Sequence, residues 1–141
     1  MKQPLPHVFI FLVFSLIVST IVNGQVVRLS VTKVQVEAKK NGKAEPLIEM
    51  NREFLIVHND SINKIIVHKE DGSGYTEYDI FKTFPQKKLN NNKVEYSYNT
   101  VDKKGDTCVF TFTKSIEADK IVGATCIIGE TVIRYTVSQI L

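Results

Sequence analysis

The chain has 141 residues, of which 23% are charged, and a formal net charge of +3. So even a balance excludes the strongly basic surface by which a domain holds nucleic acid. Two cysteines allow at most one cystine, so the chain is not a cystine-dense mini-domain.

In chain order the first segment is a leader. Lys2 precedes an apolar run from Val8 to Val22, and Val22 and Gly24 stand at the −3 and −1 positions of a cleavage site before Gln25. That is the layout of a secretory signal peptide over residues 1–24. As a helix the run reaches roughly 22 Å, short of the ~30 Å hydrocarbon core, so a cleaved leader is expected rather than a membrane anchor. The remaining residues 25–141 are expected to form one secreted or periplasmic domain without a stable membrane span. Its length suffices for a core of its own.

Turn signals then recur at short intervals: Asn41-Gly42, Asn59-Asp60-Ser61, Asp71-Gly72-Ser73-Gly74, Asn90-Asn91-Asn92, Lys103-Lys104-Gly105-Asp106 and Gly129-Glu130. Short runs rich in Val, Ile, Thr, Tyr and Phe lie between them, the pattern of an all-β fold. In the first strand Val27, Leu29 and Val31 are odd-numbered, whereas Val34 and Val36 are even-numbered. The phase slips near Thr32-Lys33, which predicts a β-bulge that bends the strand. From Pro46 to Phe54 the spacing of Leu47, Met50 and Phe54 is helical, while Phe54-Leu55-Ile56-Val57 reads as buried strand. A strand with an irregular or short helical lead-in is expected there.

The C-terminal half alternates cleanly. Val94, Tyr96 and Tyr98, then Cys108, Phe110 and Phe112, then Val122, Ala124, Cys126 and Ile128 form even-numbered apolar stripes, and Ile133, Tyr135 and Val137 form the last one. A turn at Lys103-Lys104 would set Tyr98 against Cys108, Tyr96 against Phe110 and Val94 against Phe112, with all six on one face. Cys108 and Cys126 are symmetric about Glu117, in the expected turn from Ser115 to Asp119, and would meet on adjacent strands. In an oxidising compartment they are expected to form a disulfide, stabilising by roughly 3 kcal/mol, the alternative being two buried free thiols.

Catalytic patterns are scarce. After removal of the leader only His58 and His68 remain, some ~16 Å apart at about 3.3 Å per residue along facing strands, too far to share a metal. Neither a phosphate-cradling glycine loop nor a nucleophile elbow is present. Glu77 and Asp79 point to one face, where a carboxylate pair can do glycoside chemistry, bind a hard cation or simply meet water. Asn59-Asp60-Ser61 is an N-glycosylation pattern as well as a turn. The pairs Lys39–Lys40, Lys87–Lys88 and Lys103–Lys104 lie beside turns, as solvated hairpin ends do. The chain is read as a non-enzyme without cofactor or metal.

The segments Lys64-Ile65-Ile66-Val67, Tyr78-Asp79-Ile80, Val101-Asp102-x-x-Gly105-x-x-Cys108 and Val132-Ile133-x-Tyr135-x-Val137 resemble a group of small secreted β-rich proteins of Bacteroidetes-type bacteria, as does cleavage before a glutamine. The resemblance covers about 75 residues and implies export and a β-fold without an assigned activity. The expected architecture is a single antiparallel β-meander closing as a small calycin-like barrel or a sandwich, after the signal helix. Without tryptophan it lacks the Gly-x-Trp of true lipocalins. Tyr96, Tyr98, Phe110, Phe112 and Tyr135 on the inward stripes are the candidate lining of a site for an apolar or amphipathic small molecule. The competing expectation is an envelope protein-interaction or structural module that works through sheet edges and loops.

Overall fold

The computed structural model describes residues 25–140; the expected leader and its helix lie outside them. The strands are β1 (Val26–Glu37), β2 (Lys39–Lys40), β3 (Lys43–Ala44), β4 (Ile48–Asn59), β5 (Lys64–His68), β6 (Tyr75–Thr83), β7 (Lys87–Leu89), β8 (Lys93–Asp102), β9 (Thr107–Ser115), β10 (Lys120–Ile128) and β11 (Thr131–Ile140). Eight of them close into an antiparallel barrel, with β7 as an extra strand. The order β6-β5-β4-β1-β11-β10-β9-β8 follows the chain around the ring, and pairing of β6 with β8 completes it. Of the two expected architectures, the barrel is the one formed.

The turns carry the backbone that their residues favour. Asn41 and Gly42 have φ of 53° and 74°, the primed geometry that lets β2 and β3 twist together. β7 extends the line of β6 beyond Pro85. Phe84 N donates to Ser97 O at 2.9 Å, in the gap between the Thr83↔Tyr98 and Lys87↔Glu95 pairs. Pro85 has no N–H for the ladder, so the strand breaks there.

The predicted slip at Thr32-Lys33 is a bulge. Between Val31 and Lys33 the register of β1 shifts against both β4 and β11, which keeps Leu29, Val31 and Val34 all in the core. No helical lead-in forms before Phe54; β4 is extended from Ile48 onward. Met50 and Phe54 are four apart, a spacing that a helix and a strand both place on one face, and Leu47 lies outside the strand and exposed.

Two register expectations are corrected. Across β8 and β9 the pairs are Tyr98↔Phe110, Tyr96↔Phe112 and Thr100↔Cys108, two residues from the expected alignment. The loop is wider than a tight turn: Asp102 N donates to Asp106 O at 3.0 Å, and Asp102 Oδ1 accepts from the amides of Lys104 and Asp106 at 2.9 Å. A slip of two keeps every side chain on its face. In β10 the residue Val122 is extra, so Ile121 turns inward and Val122 is 42% exposed; Ile128, at the strand end, is also exposed.

Between β9 and β10 the register is likewise two residues from the pairing symmetric about Glu117. Cys126 stands opposite Phe110 rather than Cys108. Both are buried free thiols, 3.6 Å apart, and the expected disulfide is not formed. The Cys108 Sγ lies 3.0 Å from the Thr100 hydroxyl, which also donates to the Cys108 carbonyl at 3.0 Å. Both side chains serve as small core residues.

Leu29, Val31, Ile56, Ile65 and Phe110 are fully buried and fill the middle of the barrel. Tyr78 meets Phe110 edge-on at 5.0 Å. The outer face is mixed: Arg28, Ser30, Glu95, Ser97, Thr111 and Thr113 are polar, whereas Leu55, Val57, Val109 and Ile127 are apolar. Replacing Phe110→Ala should cost about 3–5 kcal/mol, whereas Phe81→Ala, at a residue 59% exposed on the outer face, should stay within about 0.5 kcal/mol. Chemical denaturation of the two variants checks the contrast.

Candidate functional site

The filled middle leaves a cleft at each end of the barrel. The first, of about 340 Å³, lies among the start of β1, the end of β4, the first half of β8 and the end of β9. Its aromatic wall is Tyr96, Tyr98 and Phe112, its apolar floor Val27 and Leu29, and its polar groups include His58, Asp60 and Lys114. Asp60 N donates to Gln25 O at 3.1 Å and ties the rim of β4 to that of β1.

His58 is the unusual member. It occupies the inward stripe of Phe54 and Ile56, pairs with Val27 on one side and Ile65 on the other, and is 8% exposed. Its ring lies parallel to Phe112, with 5.5 Å between centroids and 5° between planes, and Tyr98 leans on it at 4.8 Å. Nε2 approaches Asp60 Oδ1 to 2.9 Å, but off the N–H direction, so the buried nitrogen has no hydrogen-bond partner. An unmatched buried polar atom costs about 1–3 kcal/mol. Burial lowers the imidazole pKa, and the Asp60 carboxylate opposes that shift without overturning it.

The phenol of Tyr98 is pushed up to about 12, by burial first and by the negative charge of Asp60 second, and therefore stays a hydrogen-bond donor at physiological pH. At the rim Lys114 Nζ meets Asp119 at 2.6 Å. The bulge at Val122 takes the Ile121 amide out of the ladder, and Gln139 Oε1 accepts from it at 2.8 Å. The cleft is thus apolar and aromatic at depth and charged at its lip.

The five aromatic candidates do not share one cavity. Tyr96, Tyr98 and Phe112 line the first cleft. Phe110 is fully buried in the packed middle, stacked on Phe112 at 6.2 Å. Tyr135 lines the opposite cleft, of about 540 Å³, which shares no lining residue with the first. His58 was not among the aromatic candidates, although its even-numbered place after Phe54 and Ile56 marks it as inward-facing.

Other candidates have plainer settings. His68 lines the opposite cleft from His58. Glu77 and Asp79 both engage Lys64 Nζ, at 3.1 Å and 3.4 Å, and Lys103 Nζ is 3.5 Å from Glu77, so the chain's own ammonium groups neutralise the pair. Asn59 Oδ1 accepts from Ser61 N at 3.0 Å, a side-chain turn within the glycosylation pattern. Among the described residues no cluster of three or more metal-ligating side chains occurs.

No protein-family model, curated protein or solved structure matches this chain.

The neutral burial of His58 sets a pH dependence. In the unfolded chain the imidazole takes a proton near its ordinary value of 6.5, while in the fold it resists doing so. The unfolded state therefore binds more protons as pH falls, and stability is lost below about 6.5. Thermal unfolding from pH 7.5 to 5.5 should show a declining midpoint, and His58→Phe, which keeps the stack on Phe112, should flatten that part of the curve.

Proposed function

We propose that this chain is an exported, non-enzymatic binding barrel that holds one small amphipathic molecule in the cleft bounded by His58, Tyr96, Tyr98 and Phe112. The observation that carries the reading is the nine-tenths-buried His58 beside an aromatic-walled cleft, its Nε2 2.9 Å from the Asp60 carboxylate but in no aligned hydrogen bond. A ligand with an apolar body can lie along Phe112 and Tyr98 and present a polar group to the Tyr98 hydroxyl and to His58. The volume of about 340 Å³ lies within the range of small-molecule sites. Export rests on the leader-like residues 1–24 and on the resemblance to small secreted β-rich proteins.

A second reading, an envelope-interaction module, is favoured by one feature. Phe81 is the extra residue of a bulge in β6, is 59% exposed, and with Val109 and Ile127 lines a shallow outer groove of about 250 Å³.

Native mass spectrometry of the protein purified from its own host tests the first reading. A retained small molecule is expected, lost on denaturation. Because the chain has no tryptophan, its emission comes from five tyrosines, and Tyr96→Phe and Tyr98→Phe variants isolate the share that responds in this cleft. Phe112→Ala and Tyr98→Ala should each weaken binding of that molecule or of an anilinonaphthalene sulfonate dye by about threefold to tenfold. A protein that carries no small molecule and binds no dye would leave only the second reading.

A further inference from the structure

Arg52 interrupts the inward stripe of β4. Met50, Arg52 and Phe54 line the cleft at the end of the barrel opposite His58, and Ile56 is fully buried beneath them. The position is set by the irregularity in β1: from Val31↔Phe54 to Lys33↔Asn51, the single residue Thr32 is spanned by both Arg52 and Glu53. Such bulges re-aim a side chain. The cleft itself, about 540 Å³, is lined at depth by Val34, Val36, Phe54, Ile133 and Tyr135, with Phe54 and Tyr135 packed edge-to-face at 5.7 Å. An apolar cleft of that size with a guanidinium on its wall matches a molecule that is apolar along its body and anionic at one end.

The guanidinium already holds a group of that kind. Glu70, on the hairpin between β5 and β6, places its carboxylate on Arg52 across the cleft mouth. Both side chains of the pair are more than two-fifths exposed, at 44% and 43%, so the pair is weak and opens readily. Glu70 thus stands where the head group of a ligand would sit, and the rim cation Lys69 and anion Asp71 offset one another beside it. An arginine fork takes a carboxylate through two parallel hydrogen bonds.

We infer that this second cleft binds an amphipathic carboxylate, its apolar tail among Val34, Val36, Phe54, Ile133 and Tyr135 and its head group on Arg52 in the place held by Glu70. The site is independent of the His58 mouth, because Phe110, Ile56, Ile65 and Val31, all fully buried, fill the space between them. A purely structural role for Arg52 exists in principle, since β5 pairs only with Ile56–Asn59 of β4, and a charge beside the uncovered edge from Ile48 to Leu55 discourages strand addition. The two roles make different demands on Glu70.

Isothermal titration with straight-chain alkanoates below their micellar concentrations separates them. Affinity should rise by about fourfold per added methylene until the cleft is full. The 1-alkanol of equal length should bind about tenfold more weakly, and Arg52→Gln should reduce alkanoate affinity by about tenfold. Glu70→Gln, which frees the guanidinium, should raise it by about threefold; a gain of this kind cannot come from misfolding. Phe112→Ala should leave alkanoate binding unchanged. Equal binding of alkanol and alkanoate, no change in Arg52→Gln, no gain in Glu70→Gln, or loss in Phe112→Ala would each overturn the assignment. Aggregation of Arg52→Gln with unaltered alkanoate affinity would assign the arginine to edge protection instead.

Discussion

Closing eight antiparallel strands on themselves leaves an interior only about as wide as the side chains that can fill it. Here Phe110, with Leu29, Val31, Ile56 and Ile65, occupies the whole cross-section at mid-height. Everything else about the interior follows from that one packed level. Side chains above and below it face the barrel ends, where Tyr96, Tyr98 and Phe112 at one end and Phe54 and Tyr135 at the other line the walls without filling the space between them. The result is two clefts, back to back, rather than one through-going cavity.

The bulges adjust this frame without breaking it. Each adds a residue to one strand and lets the stripe on either side keep facing inward. In β1 the extra residue reconciles the odd-numbered Leu29 and Val31 with the even-numbered Val34, and it coincides with Arg52 on the neighbouring strand. In β10 it exchanges Val122 for Ile121 and frees an amide that Gln139 must take up at the lip of the His58 cleft. In β6 it throws Phe81 outward. All three irregularities lie next to a cleft or an exposed apolar groove, so departures from regular pairing and surface chemistry coincide in this molecule.

Polar groups inside the barrel are treated unequally. Thr100 is fully buried but satisfied, since its hydroxyl donates to the Cys108 carbonyl. The thiols tolerate burial because they demand little hydrogen bonding. Among the described residues His58 alone has a buried side-chain nitrogen outside any aligned hydrogen bond, against the general rule for buried polar atoms. Its stack on Phe112 and contact with Tyr98 hold the ring in place, with Nε2 2.9 Å from the Asp60 carboxylate.

The sequence by itself determined the fold class, the turns and the bulge at Thr32-Lys33, because these rest on local chemistry: residues tolerant of positive φ, and a two-residue period whose break is visible in the letters. It also determined which face each of Tyr96, Tyr98, Phe110, Phe112 and Tyr135 occupies. Height along the barrel was decided only in three dimensions. A register slip of two residues preserves the face and is therefore invisible to alternation, yet it moved Cys126 from Cys108 to Phe110 and set which aromatic rings share a cleft. The roles of His58 and Arg52 were likewise decided in three dimensions: closure brings β4 against β8 and β9 at one end, and the β5–β6 hairpin lays Glu70 beside Arg52 at the other, contacts that no local pattern encodes.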